Sequence, residues 1–570
     1  MRLKISESKN SKSFYVIKSV YDNGYRTTIV FERLGTEKEL AEKLDGRDPE
    51  EWAREYIAEL NRQEKEDNTE VIARYSPSKR IPKGKQVLYN GGYLFLQKIY
   101  FELRLNKLCS ELSKKYKFEF NLDSILSRLL YARIIYPASK HATYKLSKRF
   151  IEQPDFKLHH IYRSLGIIAK ESDLIQTHLY KSSLDVVNRD TGILYYDCTN
   201  FYFEIEQEEG IKQYGFSKEH RTNPITQMGL FMDGSGIPLA FVITAGNQNE
   251  QPTMKPLEKK ILKDFELTKF VVCTDAGLAS TANRKFNDIS GRAFVTTQSV
   301  KKLKAHLKKW ALDPNGWSLA DGTEVFNINE IDEEKYKDDK FYKERWIKED
   351  ELEQRLVISY SIKYRNYQNK IRSSQIDRAV KLIKSNPKKV GKVNQNDYKR
   401  FISKTSCTQD GEAADVDIYK INTSLIEEEA IFDGFYGVCT NLEDNVSDII
   451  KITERRWEIE ECFRIMKHEF KARPVDLRRD DRIEAHFTTC FIALQIYRIV
   501  EKKLNEAFTC NEIISTLRNL NFYKVNNEGY VPAYERSDIT DALHEAFGFR
   551  TDYEVVKNKK MKNILKESKK

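Results

Sequence analysis

Between Gly192 and Thr297 the pattern of the sequence changes several times, and the order of those changes is the strongest constraint on how the chain can fold. Gly192–Glu206 (GILYYDCTNFYFEIE) is rich in Tyr, Phe and Ile and reads as a strand. Gln227–Asp233 and Ile237–Thr244 read as two more strands, joined at Gly234-Ser235-Gly236. Gln251–Leu262 has helical periodicity. Lys269–Thr274 is a short apolar strand ending at Asp275, and Gly277 permits a tight turn there. Thr281–Ile289 is helical and Ala293–Thr297 is again a strand. The order is three strands, helix, strand, helix, strand, which requires a mixed sheet flanked by helices.

That order is the topology of a ribonuclease-H-like fold, so the expected class is α/β, within an α+β multidomain chain. The core is expected at 189–298 and 434–505, interrupted at 299–433 by a highly charged, mainly β insertion. Strand candidates in the insertion are Glu324–Ile328, Arg355–Ser361, Tyr398–Ser403 and Val416–Asn422, with a helix candidate at Arg365–Ser385. Phe435–Thr440 is expected to return to the core sheet. Upstream, residues 1–80 form a small module. Ser13–Leu34 alternates apolar and polar around Asp22-Asn23-Gly24, a hairpin signal, and a helical stretch follows at Glu37–Glu66. A DNA-end reader and a plain packing or oligomerisation module both fit it. Lys79–Lys85 reads as a linker. Residues 88–188 are helical, and Arg133–Tyr144 and His159–Arg163 interleave basic and aromatic residues. That pattern suits a DNA-binding domain, and helical bundles carry it as well. Residues 506–570 are expected to serve dimerisation. They end in a basic tail, with seven Lys and one Glu in Lys557–Lys570.

A chain of 570 residues forms several domains, and a net charge of +10 favours a polyanionic partner over an acidic one. The eight cysteines form no CxxC pair, and Cys198, Cys273 and Cys490 sit in apolar runs. They read as reduced core thiols of a cytoplasmic protein. The absence of HExxH and of Cys/His clustering argues against zinc. The apolar run Phe487–Val500 is broken by Thr, Gln and Arg and is too short to span a membrane.

The chemistry concentrates in Thr453–Lys467 (TERRWEIEECFRIMK). It contains no Gly or Pro and is expected to be one helix, with apolar positions at Trp457, Ile459, Phe463 and Met466. At about 100° per residue, Thr453, Arg456, Glu460, Phe463 and Lys467 share one stripe. Two cations there flank one carboxylate. An ion-pair ladder fits that helix taken alone, and so does a cation-binding Glu with basic neighbours for a phosphate backbone. Glu460 lies roughly 40° from Arg456 round the helix and Glu461 roughly 140°, so Glu460 alone shares the cationic face. Asp197 sits inside an apolar strand and Asp275 at the end of another. Taken singly, each fits a cap or a buried hydrogen bond. Converging with Glu460 at one sheet edge, three carboxylates repel one another unless cations lie between them. Hard oxygen ligands suit Mg²⁺, and two such ions can activate an attacking water and stabilise a leaving oxygen.

Thr453, Arg456, Glu460 and Lys467 also stand at the spacing Tyr, two residues, Arg, three residues, Glu, six residues, Lys. In this, and in LYYDCTNFYFE, GFSKEHRTNPITQMGL, GIPLAFVITAGNQNE, TDAGLAS and RRDDRIEAHFTTCFIALQIYR, the chain resembles the DDE transposases of bacterial insertion sequences. It is most similar to the insertion-sequence-four superfamily, whose members carry a β-rich insertion before the last catalytic residue. The departure is Thr453 where that family has Tyr. The resemblance implies that Asp197, Asp275 and Glu460 are catalytic and hold two Mg²⁺ ions, with Mn²⁺ substituting. It also implies that Arg456, Lys467, Lys218 and Arg221 contact DNA. A Trp of the insertion stacks on a flipped base in relatives; Trp310, Trp317 and Trp346 lie in that interval, and Trp346 is counted with the DNA-binding residues although the sequence itself does not select it. The implied partners are double-stranded DNA, as terminal inverted repeats and as target, and a second copy of the chain in a synaptic complex, in the nucleoid-containing cytoplasm. The implied reaction is hydrolysis at the element's end followed by strand transfer of the 3′-OH. A catalytically silent DNA-binding derivative and a ribonuclease-H-like nuclease without strand transfer are the alternatives.

Overall fold

The computed structural model describes residues 1–570 except 9–10, 23–24, 45–46, 68–70, 73–75, 290, 321, 386–396, 408–412 and 526–527. The chain forms two compact units. The first comprises Met1–Lys85 with Val525–Gly529. Strands β1 (Arg2–Ser8), β2 (Ser11–Asp22) and β3 (Tyr25–Thr36) make an antiparallel sheet in that order, followed by α1 (Glu37–Lys43) and α2 (Pro49–Asp67). The expected hairpin is β2–β3, and its turn residues Asn23 and Gly24 lie outside the described residues. The Thr36 hydroxyl accepts from Glu39 N, and the Glu39 carboxylate accepts from Thr36 N, a capping box that starts α1 directly from β3. Phe14, Leu40 and Ala53 form its small core.

The second unit comprises Gln86–Lys524 and Tyr530–Lys570. It opens with β4 (Leu88–Asn90) and six helices: α3 (Tyr93–Glu102), α4 (Leu105–Tyr116), α5 (Leu122–Ile135), α6 (Lys140–Leu146), α7 (Leu158–Lys170) and α8 (Ser172–Ser183). The core succession follows as β5 (Ile193–Tyr202), β6 (Ile225–Asp233), β7 (Pro238–Ala245), α9 (Met254–Asp264), β8 (Phe270–Thr274), α10 (Thr281–Phe286) and β9 (Arg292–Gln298). β5, β6 and β7 pair antiparallel, whereas β8 runs parallel to β5 and β9 parallel to β8. The expected strand succession thus closes into a mixed sheet with β5 at its centre.

The interval 299–433 holds α11 (Ala305–Leu312), β10 (Ser318–Leu319), β11 (Phe341–Glu349), β12 (Leu352–Tyr360), α12 (Ile362–Ser385), β13 (Ile402–Cys407), β14 (Ala413–Ile421) and α13 (Thr423–Ala430). Its strands β10–β12 continue the core sheet through β15 (Phe435–Thr440), which pairs antiparallel with β9 on one side and with β12 on the other. The sheet therefore runs β10–β11–β12–β15–β9–β8–β5–β6–β7. Of the strand candidates, Glu324–Ile328 forms only a bridge between Phe326 and Trp317, and Tyr398–Phe401 is a tight helical turn before β13. β11 escapes sequence reading because Lys343, Glu344 and Arg345 interrupt its apolar alternation.

The expectation of one helix over Thr453–Lys467 is corrected. α14 (Val446–Glu454) ends, a turn follows at Arg455-Arg456, and α15 (Trp457–Arg464) begins; Ile465–Glu469 then form a π turn. The Arg456 and Glu458 amides bond three residues back, to Thr453 O and Arg455 O. At the break Arg455 pairs with the buried Glu458 three residues on, 2.9 Å away, while Arg456 turns towards Asp275. Trp457, the first residue of α15, is 61% exposed, because it lies on the opposite face of that helix from the buried Ile459 and Phe463. α16 (Asp480–Lys503) is the central buried helix, packed on α3, α5 and α7. Its buried Thr488 and Thr489 donate to the carbonyls four residues back, so their hydroxyls cost little. α17 (Cys510–Asn519), α18 (Asp538–Phe547) and α19 (Asn558–Glu567) complete the unit. Cys198, Cys273 and Cys490 are buried free thiols. Among the described residues no helix is long and apolar enough to cross a membrane.

Candidate active site

The strand register brings the two aspartates together. In the parallel pair β5–β8, Tyr195 lies opposite Cys273. Two residues further along each chain are Asp197, within β5, and Asp275, the first residue beyond the end of β8. Asp197 is flanked by buried Tyr196 and Cys198, and its Oδ1 accepts from Cys198 N at 2.8 Å. Burial pushes its carboxyl up to about 6; Lys218 pulls it back, the Asp275 carboxylate raises it further, and Arg456 draws it down. Asp275 leaves β8 into a turn in which its Oδ1 accepts from Leu278 N at 2.9 Å, which leaves Oδ2 to face Arg456.

Glu460 arrives on α15, which packs against β5. The Arg456 guanidinium joins it to the aspartates: Nη2 donates to Glu460 Oε1 at 3.2 Å, and Nη1 lies 4.0 Å from Asp275 Oδ2. Glu460 is otherwise open to solvent, its side chain 59% exposed. Glu461 points elsewhere and is held by Arg464 Nε at 2.6 Å.

Cations surround this edge. Lys218 Nζ donates to Cys198 O and lies 3.2 Å from Glu250. Burial works against its charge, but Asp197 and Glu250 outweigh that and hold the ammonium above its ordinary range. Lys467 Nζ donates to Thr199 Oγ1 at 2.6 Å and lies 3.5 Å from Glu219. Burial, with repulsion from Lys218, pushes it down to about 8, partly offset by Asp197. Arg221 stacks on the Tyr202 ring at 4.0 Å and lies 3.7 Å from Glu219, which Arg473 also meets. The edge therefore brings Asp197, Asp275, Glu460, Arg456, Lys218 and Lys467 together, with Arg221 beside them.

Trp346 is not brought to this group. It is 46% exposed on β11, five strand spacings from β5 in the sheet order, or roughly 24 Å along the sheet. Trp317 is fully buried, with Nε1 bonded to Asp313 O, while Trp310 is half-buried beneath Lys343 and Arg345. Two aromatic residues near the carboxylates were missed by sequence reading. Trp457 stands exposed one turn before Glu460. Tyr436 on β15 meets the side chain of Thr453 and feels Arg456; burial pushes its phenol up to about 12. A tyrosine hydroxyl thus stands beside the position where the signature Tyr is replaced by Thr453. No local spacing announces it, because β15 and α14 meet only in the fold.

Three carboxylates with hard oxygen atoms, one of them desolvated and incompletely compensated, suit a divalent cation such as Mg²⁺. Among the described residues, Asp541, His544 and Asp552 are the one group whose possible ligand atoms all lie within 4.8 Å of one another, whereas Asp197, Asp275 and Glu460 stand farther apart; the chemistry of the two groups differs. Thr551 N donates to His544 Nε2, so the ring proton sits on Nδ1, 3.9 Å from Asp552. Arg550 and Arg536 already pair with both aspartates.

A family model described as the transposase DDE domain matches residues 189–496. Among solved structures, the chain is similar to the piggyBac transposase in a synaptic complex with hairpin DNA, at 8% identity over 75% of this chain and 79% of that one, with a TM-score of 0.36. It is also similar to the Mos1 transposase in a paired-end complex with the left transposon end, at 11% identity over 41% of this chain and 64% of that one, with a TM-score of 0.13. No curated protein sequence matches it. The family match covers more than half of the chain and takes in β5, β8 and α15 together, and the chain belongs to the transposase DDE domain family.

Proposed function

We propose that the chain is a DNA transposase of the insertion-sequence-four type, in which Asp197, Asp275 and Glu460 hold two Mg²⁺ ions and cut DNA at the ends of its own element. The observation that carries this reading is the single Arg456 guanidinium shared by Glu460 and Asp275 beside the desolvated Asp197. When bound there, divalent cations supply activation of the attacking water and neutralisation of the leaving 3′ oxygen; Mn²⁺ has the charge and ligand preference to substitute. The protein's own part is positioning. Arg456 keeps Glu460 and Asp275 from repelling each other, and Lys467 and Lys218 flank the strand of Asp197, where a scissile phosphate needs countercharge. The lowered Lys467 ammonium regains its full charge beside a phosphate. Arg221, held over the Tyr202 ring, extends that track. Trp346, far along the sheet, would meet DNA outside the cleavage point.

In the same reading, residues 1–80 and 88–188 bind the terminal inverted repeats, 189–298 and 434–505 form the catalytic core, 299–433 extends its sheet, and 506–570 serves a homodimer that holds two ends in the cytoplasm. Strand transfer of the freed 3′-OH into target DNA completes the reaction. The test is nicking, joining and gel-shift measured side by side on end-containing duplex in Mg²⁺. Metal-dependent nicking followed by joining is expected. Nicking without joining would leave a nuclease, and binding without nicking a silent DNA-binding protein.

A further inference from the structure

Arg473, one of the cations on Glu219, also lines a half-open cavity of about 310 Å³ between α5, α6, α16 and the loop of residues 471–477. Five of its lining residues are basic: Arg133, Lys140, Lys471, Arg473 and His486. Its one carboxylate, Asp476, is exposed. Arg133, Lys140 and His486 are buried, at 6%, 5% and 6% exposure. Burying cations without counter-ions is costly, and here two backbone carbonyls offset it only in part. Arg133 gives Nη1 to Phe470 O and Nη2 to Ala138 O, and its buried Nε has no acceptor. Among the described residues the Lys140 ammonium has no hydrogen-bond acceptor and no ion-pair partner. His486 donates Nε2–H to Ala472 O, so its Nδ1 carries no charge to balance either neighbour.

We propose that this cavity is a phosphate-binding site, in which the Lys140 ammonium and the Arg133 guanidinium hold one phosphate oxyanion, with Arg473 and Lys471 at its mouth. A tetrahedral oxyanion supplies the acceptor that Lys140 Nζ lacks, and it carries the charge that a water cannot. Burial and Arg133 push the Lys140 ammonium down to about 7, the mark of a cation whose counter-ion is missing. The cavity adjoins the carboxylate edge through Arg473, Glu219 and Lys467, so a phosphodiester of bound DNA is one source of the phosphate. Free phosphate or the phosphate of a nucleotide is the other. The site does not depend on the roles of Asp197, Asp275 and Glu460.

The test uses the full chain, with inorganic phosphate and a duplex of arbitrary sequence as probes. Saturating phosphate should raise the melting temperature of the wild type by about 2 °C or more, and that rise should vanish in Lys140→Met. Without phosphate, Lys140→Met should melt no lower than wild type, because it removes a desolvated charge and keeps the stem. If DNA supplies the phosphate, the slope of log affinity against log salt should fall by about one in Lys140→Met. A lost phosphate response with an unchanged slope assigns the site to free phosphate; a reduced slope with no response to free phosphate assigns it to the DNA backbone. Lys471→Gln, on the exposed rim, should weaken the phosphate response about threefold and reports on the site even if Lys140→Met does not fold. Equal phosphate shifts in wild type and both variants, or no shift in wild type together with an unchanged salt slope, would overturn the proposal.

Discussion

Two acidic clusters in this chain meet cations in opposite ways. In the Asp541–His544–Asp552 group two arginines serve two carboxylates, and the Arg550 guanidinium holds Asp552 well below the ordinary carboxylate range, at about 2. At the sheet edge one guanidinium, Arg456, serves both Asp275 and Glu460, and Asp197, drawn down by Lys218 and Arg456 without an ion pair of its own, stays pushed up to about 6. Acidic residues close in space are therefore poor evidence of a cation site. The unmet charge separates the two, and the C-terminal group reads as a structural ion-pair network.

The largest expected effect tests that difference directly. Asp197→Asn and Asp275→Asn should each lower the rate of end cleavage by about 10³-fold or more, with end binding by gel-shift kept. Asp552→Asn should leave the cleavage rate per folded molecule near wild type. Near-normal nicking by either sheet-edge variant would remove the contrast between the clusters.

A comparison within α15 comes next. Glu460→Gln should lose about 10²-fold or more in cleavage, whereas Glu461→Gln, whose partner is Arg464, should stay within about threefold of wild type and melt at a similar temperature. An active Glu460→Gln beside a dead Glu461→Gln would mean that the carboxylate facing Arg456 is not the one that works.

Mg²⁺ should raise the melting temperature by about 2–4 °C at saturation, reversibly on chelation. The rise should disappear in Asp275→Asn and persist in Asp552→Asn. A rise that follows Asp552 instead would move the cation to the C-terminal cluster.

The smallest effect is in pH dependence, and its sign differs between the clusters. The Asp552 carboxyl is lower in the folded chain than unfolded, so its stabilisation is present above about pH 4 and is lost as the pH falls towards 2. Asp552→Asn should cost about 1–3 kcal/mol at neutral pH. Asp197 is raised, so the folded chain binds its proton more readily than the unfolded chain does. Its unfavourable contribution is fully present above about pH 6 and is relieved as the pH falls towards 4. In chelator, Asp197→Asn should therefore melt higher than wild type at pH 7, with the gap closing at pH 4. Parallel melting curves from pH 4 to 7 would contradict this.

Much of the sheet edge was legible beforehand because its signals are local. Strand and helix periods follow from backbone geometry, so the order of β5 to β9 could be read from residue patterns. Asp197 stood out as a charge inside an apolar strand, and the four-residue step from Arg456 to Glu460 survives because it lies within one helical turn of the break. The failures have local causes too. The charges of β11 concealed its alternation, and good helix formers at Arg455 and Arg456 gave no warning of a turn.

By itself, then, the sequence determined the strand succession, the place of each carboxylate along its own element and the excess of basic residues, since each depends on neighbours a few positions away. Only the tertiary structure decided what those residues face. Packing of α14 against β15 set Tyr436 beside Thr453. The approach of β8 to the start of α15 gave Arg456 a second carboxylate, Asp275, beside the Glu460 of its own helix. The meeting of α5, α6 and α16 with the loop of residues 471–477 enclosed Arg133, Lys140 and His486. Those contacts join residues up to more than three hundred positions apart, such as Arg133 and Phe470, and no local period carries information over such distances. Their arrangement is the outcome of burying apolar surface elsewhere in the unit, which compels charges to take whichever partners the packed core leaves within reach.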